Sequence, residues 1–202
     1  MPKRVDHEEK RRDLAEALFR IASTRGLQSV TLRAVAAEAG VSMFQIQYYF
    51  PTKEEMLRHA WQRITELGAE RAGHRITEAM RTGDERAVMR ACLLAVLPTD
   101  ERSRVLCAVQ IAYFALDVTR GGQSPDQQAM MPFLVRLLVD QLGLARKRDR
   151  VPPHLDLQLE ADALATMTGG LLSAMLVDVY DAKQAEEIVD YRLGQLFGSE
   201  AG

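Results

Sequence analysis

TLRAVAAEAGVSMFQIQYYFPTKEEML, residues 31–57, reads as two short helices joined by a glycine turn and followed by the start of a longer third. Thr31 stands at an N-cap position, with Val30 and Val35 spaced as a hydrophobic staple. Leu32 to Ala39 is rich in alanine, which favours helix and lets a second helix come close. Gly40 suits the left-handed residue just past a helix end. Ser42 then caps the next helix, Gln45 at the third helical position completes a capping box, and Val41 with Ile46 form a second staple. Phe50-Pro51 ends that helix, since the residue before proline is driven out of the α region. Thr52 and Glu55 repeat the capping pattern at once. Two short helices across a glycine turn, then a stop, make a helix-turn-helix.

Such a unit must lay one helix in the major groove with its outer face free. The inner face is anchored by Ile46 and Phe50 on Val35, Ala36 and Val41, and the outer face offers Ser42, Met43, Phe44, Gln45, Gln47, Tyr48 and Tyr49. Glutamine can pair both atoms of an adenine edge, while hydroxyls and phenols bond phosphates. Thr31, Arg33, Ser42, Tyr49 and Lys53 are therefore expected at the DNA backbone; Met43, Phe44, Gln45, Gln47 and Tyr48 are expected at bases or methyl groups.

The segment resembles the tetracycline-repressor (TetR) family of bacterial regulators. The resemblance is carried by Thr31, Arg33, Val35, Ala36, Ala39, Gly40, Val41, Ser42, Ile46, Tyr49, Phe50, Thr52, Lys53, Glu54 and Leu57. It departs at Phe44, where a small residue is usual, and at Gln47, where tyrosine is frequent. Both departures sit on the reading face, so no operator sequence carries over from relatives.

Around this stretch lie 202 residues with 47% hydrophobic content, ample for a buried core. The net charge of −2 argues against wholesale non-specific nucleic-acid binding. Residues 1–60 nevertheless hold 10 Lys/Arg against 8 Asp/Glu, and the remainder 16 against 20. A mildly basic head on an acidic body suits a DNA reader with a second module. Cys92 and Cys107 lie in apolar helical stretches without a C-x-x-C partner, which reads as two reduced core thiols and a cytoplasmic, nucleoid-associated address. The charged stretch 1–12 lacks the apolar core of a signal peptide, and the most apolar run, 163–177, is broken by threonines and glycines, too short to span a membrane.

Taken in order, Asp6 with Glu9 predicts the start of a first helix and Gly26 its stop, with Leu14, Leu18, Ile21 and Ala22 as its stripe. Lys3, Arg4, Lys10, Arg11 and Arg12 form a basic arm that reads either as a solvated terminus or as a phosphate contact. A helix from Thr52 to about Arg81 buries Met56, Leu57, Ala60, Trp61, Ile64 and Leu67; the resemblance implies that it links head and body as a lever. Further helices are expected at 85–97, 100–120, 124–148 (with Ser124, Pro125 and Gln127 as the restart), 156–180 and 183–197. The reading is all-α, about nine helices, with a three-helix head at 1–51 and an effector-binding and dimerisation body at 52–202.

The resemblance implies a two-fold dimer built from the last two helices, with Leu164, Leu172, Met175, Val179, Ile188, Leu193, Leu196 and Phe197 as the interface and Gly169, Gly170 and Ser173 allowing close approach. It also implies a small-molecule pocket in the body. The candidates are Trp61, Met89, Leu93, Gln110, Tyr113, Phe114, Asp117, Phe133, Met167 and Leu171, near Met130 and Met131. Methionines fill adaptable apolar sites, and aromatics beside a carboxylate suit a lipophilic or cationic effector; core packing is the plainer role for most of them. The run Arg146-Lys147-Arg148-Asp149-Arg150 reads as a solvated loop. His7, His59, His74 and His154 share no ligand spacing, and there is no nucleophile elbow, P-loop or dinucleotide glycine set, so no metal, cofactor or catalysis is expected. The expected function is a dimeric, ligand-responsive repressor on a near-palindromic operator; the alternative is an activator or architectural DNA binder without a small-molecule pocket.

Overall fold

The fold is that of a computed structural model, which describes the backbone of residues 2–119, 121 and 125–198, and their side chains except at 2–6, 64–65, 67–72, 116 and 125–130. Among the described residues it is entirely helical: α1 Pro2–Arg25, a 3-10 turn Leu27–Ser29, α2 Leu32–Glu38, α3 Met43–Tyr49, α4 Lys53–Thr82, α5 Glu85–Ala95, α6 Glu101–Thr119, α7 Pro125–Lys147, α8 Leu157–Leu176 and α9 Ala182–Phe197. The expected side-chain cap at Ser124 and Gln127, and the side chains of Lys3, Arg4, Asp6, Ile64, Leu67 and Met130, lie outside the described residues. The first helix begins earlier than Asp6, at Pro2, a residue whose fixed φ and missing N–H suit an opening turn.

The chain packs as two compact units, Met1–Leu67 with Asp100–Gly122 and Gly68–Thr99 with Gln123–Gly202. These units cut across the 51/52 division expected from sequence. In the first, α1 buries Leu14, Ala17, Leu18 and Ile21 at helical spacing, and Val35, Ile46, Phe50, Met56, Leu57 and Trp61 join the same core. Val105, Leu106, Val109 and Tyr113 of α6 complete it. These four recur on one face of α6, so this helix serves the core of α1 although residues 58–100 separate it from the recognition segment. Each such large side chain, fully buried, contributes about 1.5–3 kcal/mol. Arg20 and Arg25 of α1 also clasp Glu38 of α2, at 3.1 and 2.9 Å.

In the second unit α5 packs on α7, α8 and α9, burying Val88, Met89, Cys92 and Leu93 with Leu138 and Leu142 of α7. Arg90 joins α5 to Asp190 and Glu186 of α9, and Arg192 joins α9 to Glu160 of α8. The basic run at 146–150 is not simply solvated. Arg148 and Arg150 reach Glu85, a carboxylate only 3% exposed, at 2.7 and 3.0 Å. Arg148 also donates to the Gly83 carbonyl. The buried charge explains the run: one carboxylate drawn into the core of α5 needs cations beside it.

Helix ends follow the capping chemistry. The turn after α2 places Gly40 at φ 66, and Val41 N–H donates to Ala36 O in a Schellman closure. Asp149 and Asp178 take the same left-handed place after α7 and α8, at φ 55 and 59. The second of these ends α8 at Leu176, short of the expected Tyr180, and puts Val179 on the connecting turn. Asp181 opens α9 with a capping box to Gln184 that the sequence reading did not pick out.

Candidate nucleic-acid interface

The reading helix α3 is short, seven residues, and is held by its ends. At the start Ser42 Oγ accepts from Gln45 N–H at 3.1 Å while Gln45 Oε1 accepts from Ser42 N–H at 3.0 Å. Thr31 Oγ1 likewise accepts from Ala34 N–H to open α2, and Thr52 Oγ1 from Glu55 N–H to open α4. In each case the hydroxyl proton stays free to donate to a phosphate. At the far end of α3 the Arg11 guanidinium donates to the Tyr49 carbonyl at 3.1 Å and lies over the Phe50 ring at 5.3 Å. The His7 ring sits 4.6 Å from Tyr49 and 5.6 Å from Tyr48.

Between those fixed ends Ile46 is fully buried and Ser42, Met43, Phe44, Gln45, Gln47 and Tyr48 are exposed. The predicted inner and outer faces are therefore the ones observed, except at Tyr49. Arg33 is exposed on α2 and Lys53 is half-buried at the start of α4. Two of the expected contacts need correction. Gln45 spends its carbonyl oxygen on the cap, so pairing both atoms of an adenine edge would cost the cap; Gln47 carries no such duty. Tyr49 is half-buried between His7 and Tyr48, which makes it a packing residue before it is a phosphate contact.

His7 and Arg11 escaped the sequence reading as partners of the recognition helix. Their signal was present: residues 7, 11, 14 and 18 recur at helical spacing, so the two polar residues extend the stripe of Leu14 and Leu18. Below them the His59 ring lies tilted against Phe50, 5.3 Å between centroids, with its Nε2 shielded and without a hydrogen-bond partner. Burial, and then the charge of Arg11, hold its pKa below the ordinary value.

The ten effector candidates divide between the units. Trp61 and Tyr113 are buried in the first and stack at 5.8 Å; Gln110 and Asp117 are half-buried and Phe114 exposed. In the second, Met89, Leu93 and Leu171 are core, Met167 is half-buried, and Phe133 is 68% exposed. Met89 and Leu93 are completely shielded, which fits the packing role rather than a pocket lining. A groove of about 660 Å³ lies elsewhere, where Val139, Gly143, Leu144 and Leu157 meet Asp140, Arg146 and Lys147; no expected effector residue lines it.

The expected dimer residues are also corrected. Leu164, Leu172, Met175, Leu193 and Leu196 are buried within the protomer, so the face they form is used inside this chain. Ile188 and Phe197 are half-buried, the latter with Arg150 over its ring. Of the eight only Val179 is exposed. The outer side of α8 instead shows Leu159, Ala163, Thr166, Gly170, Ser173 and Val177 at helical spacing, and α9 shows Tyr191. Both cysteines are buried, and burial pushes their thiols up, to about 11 at Cys92 and to about 12 at Cys107, where the charge of Asp100 adds to it. Among the described residues no cluster could hold a metal ion, and no helix is long and apolar enough to cross a membrane.

Comparison with known proteins agrees with this geometry. The model of the tetR family of bacterial regulatory proteins matches residues 14–60, and that of the BetI-type transcriptional repressor C-terminal domain matches residues 85–198. The chain is 29% identical over 186 residues to the HTH-type transcriptional regulator PksA of Bacillus subtilis, covering 87% of this chain and 83% of that one. Among solved structures it is similar to a transcriptional regulator from Rhodococcus sp. Rha1, at 25% identity and a TM-score of 0.73 over 92% of this chain and 95% of the other. A regulator from Saccharomonospora viridis, solved in complex with choline, shares the fold at 20% identity and a TM-score of 0.76 over 91% and 95%. With its reading helix capped at both ends and its body matched over 85–198, this chain belongs to the TetR family of DNA-binding transcriptional regulators.

Proposed function

We propose that the protein is a one-component repressor that grips a near-palindromic operator as a homodimer and is released by a small-molecule effector. The observation that carries the DNA-reading part is α3 itself, fixed at both ends and presenting Met43, Phe44, Gln47 and Tyr48 outward. Gln47 is the leading base reader. Arg33, Lys53 and the hydroxyls of Thr31 and Ser42 hold the phosphates, and the head at 1–51 acts as the DNA-binding segment. A single seven-residue helix reads few base pairs. Pairing two protomers over half-sites about 34–36 Å apart, or a multiple of that, supplies the missing specificity. The exposed small-residue side of α8 with Tyr191 of α9 is the surface proposed for that pairing.

The effector reading is supported by the stacked Trp61 and Tyr113 and by half-buried Asp117 on the same helix as Tyr113. That set suits a lipophilic or cationic molecule, and the choline complex of the Saccharomonospora regulator is consistent with it. Effector and DNA would then oppose each other through a coupling of about 1–3 kcal/mol or more.

The test is binding by purified full-length protein to duplexes selected from a random library, against scrambled controls over a range of salt. Gln47→Ala is expected to relax base preference, whereas Lys53→Ala weakens cognate and scrambled sites alike and lowers the salt slope by about one unit. Equal losses at both sites for Gln47→Ala would remove it from base reading.

A further inference from the structure

The hydrogen-bonding side chains at the first turn of α3 are tied into its cap. Gln45 and Ser42 are joined to each other in the capping box, so the glutamine oxygen already accepts from the Ser42 N–H and its amide is oriented by the cap, with the NH2 left as a donor. What remains outward there is Met43, 38% exposed, and Phe44, 81% exposed, side by side at the first two helical positions. No other large apolar side chain among the described residues is as exposed as Phe44. A phenyl ring held in water on a helix whose geometry is fixed by its caps gains stability from nothing inside this chain. Its apolar surface is left for an apolar partner outside the chain to bury.

The one sizeable apolar group on the major-groove edge of DNA is the 5-methyl of thymine; beside it stand donors, acceptors and only the small C5–H of cytosine. From this we infer that Phe44, with Met43 beside it, is a specificity-determining residue that selects thymine by its methyl group in each half-site. The inference rests on α3 being the DNA-reading helix and adds to it the chemistry of one position. Gln47, one turn on and free of the cap, would read a neighbouring base by hydrogen bonding, so apolar and polar readout divide along the helix.

The experiment uses the full-length protein and the duplex it selects from a random library. Each thymine is replaced singly by deoxyuridine, which keeps every hydrogen-bonding group and removes only the methyl. The expected result is one or two positions per half-site where the replacement weakens binding about fourfold, the effect of leaving one methyl group unburied. In Phe44→Ala the thymine-to-uracil ratio at those positions falls to one, and Phe44→Leu restores part of it. Because Phe44 lies outside the core, Phe44→Ala should melt with the parent chain, and that melting curve separates lost reading from lost fold. A selected motif that tolerates deoxyuridine everywhere, or a ratio unchanged in Phe44→Ala, overturns the inference while leaving α3 as the reading helix. A Phe44 that acts as a wedge between base steps would give the first of these results, since unstacking does not depend on the methyl. Failure to select any motif overturns the DNA-reading assignment itself.

Discussion

The recognition helix α3 and the long helix α8 both carry apolar residues on more than one face, yet the fold treats them in opposite ways. In α3 one of seven residues is buried, and in α8 seven of twenty are. The short helix is held by its ends: the Ser42–Gln45 box before it, Arg11 on the Tyr49 carbonyl after it, and one buried isoleucine between. The long helix is held by what it buries. A helix secured by caps can leave its apolar side chains for a partner. A helix secured by burial commits its inward leucines to its own core, so they are the wrong place to look for an interface.

The contrast is most sharply tested by matched truncations. Leu164→Ala, at a fully buried position of α8, should destabilise the protein by about 2–5 kcal/mol in urea unfolding, while Phe44→Ala, at an exposed position of α3, should change it by under about 0.5 kcal/mol. Comparable losses at the two sites would erase the distinction. Ser42→Ala comes next, since it removes the hydroxyl that accepts from Gln45 N–H. It should cost about 1 kcal/mol of helix stability and weaken specific DNA binding with it, read by melting and by operator affinity together. A Ser42→Ala protein that binds as tightly as the parent would show that the end of α3 is not what holds it.

The smallest effect concerns the floor under α3. His59 has its pKa held below the ordinary 6.5, chiefly by burial and next by the charge of Arg11, with Glu8 and Glu66 acting the other way. A group depressed in the folded state favours folding while it stays neutral, so its contribution is present above 6.5 and is lost as the pH falls below it. The melting temperature should therefore drop as the buffer is taken from about pH 7 to about pH 5, and His59→Phe should lose that part of the drop. An unchanged pH profile in the variant would mean that the ring is solvated.

What could be read in advance follows the same division. The caps of Thr31 and Ser42 are local, decided within a few residues, and the helices that they open begin where those residues stand. The buried stripes of α1 and the first part of α4 were equally legible, because 3.6-residue spacing marks one face whatever covers it. The side of α8 that faces inward was not legible. Leucines at 164, 171 and 172 and the glycines at 169 and 170 give two faces of similar promise, and only packing against α5, α7 and α9 decides between them. The same holds for α6, whose role in the core of α1 is a long-range pairing with no local mark. Arg11 is the intermediate case: its place on the stripe of Leu14 was visible, but its bond to the end of α3 depends on a contact 38 residues away.

The account rests on α3 reading DNA with its outer face alone, and one measurement reaches that directly. The duplex selection should be run on the parent chain and on a triple variant, Met43→Ala, Phe44→Ala and Gln47→Ala, checked beforehand to have the parent's helix content. The account predicts a near-palindromic motif for the parent and, for the variant, weaker binding in which the base preferences within each half-site have collapsed. The same motif recovered at full strength from both proteins would contradict it, because the sequence would then be read by some other part of the molecule.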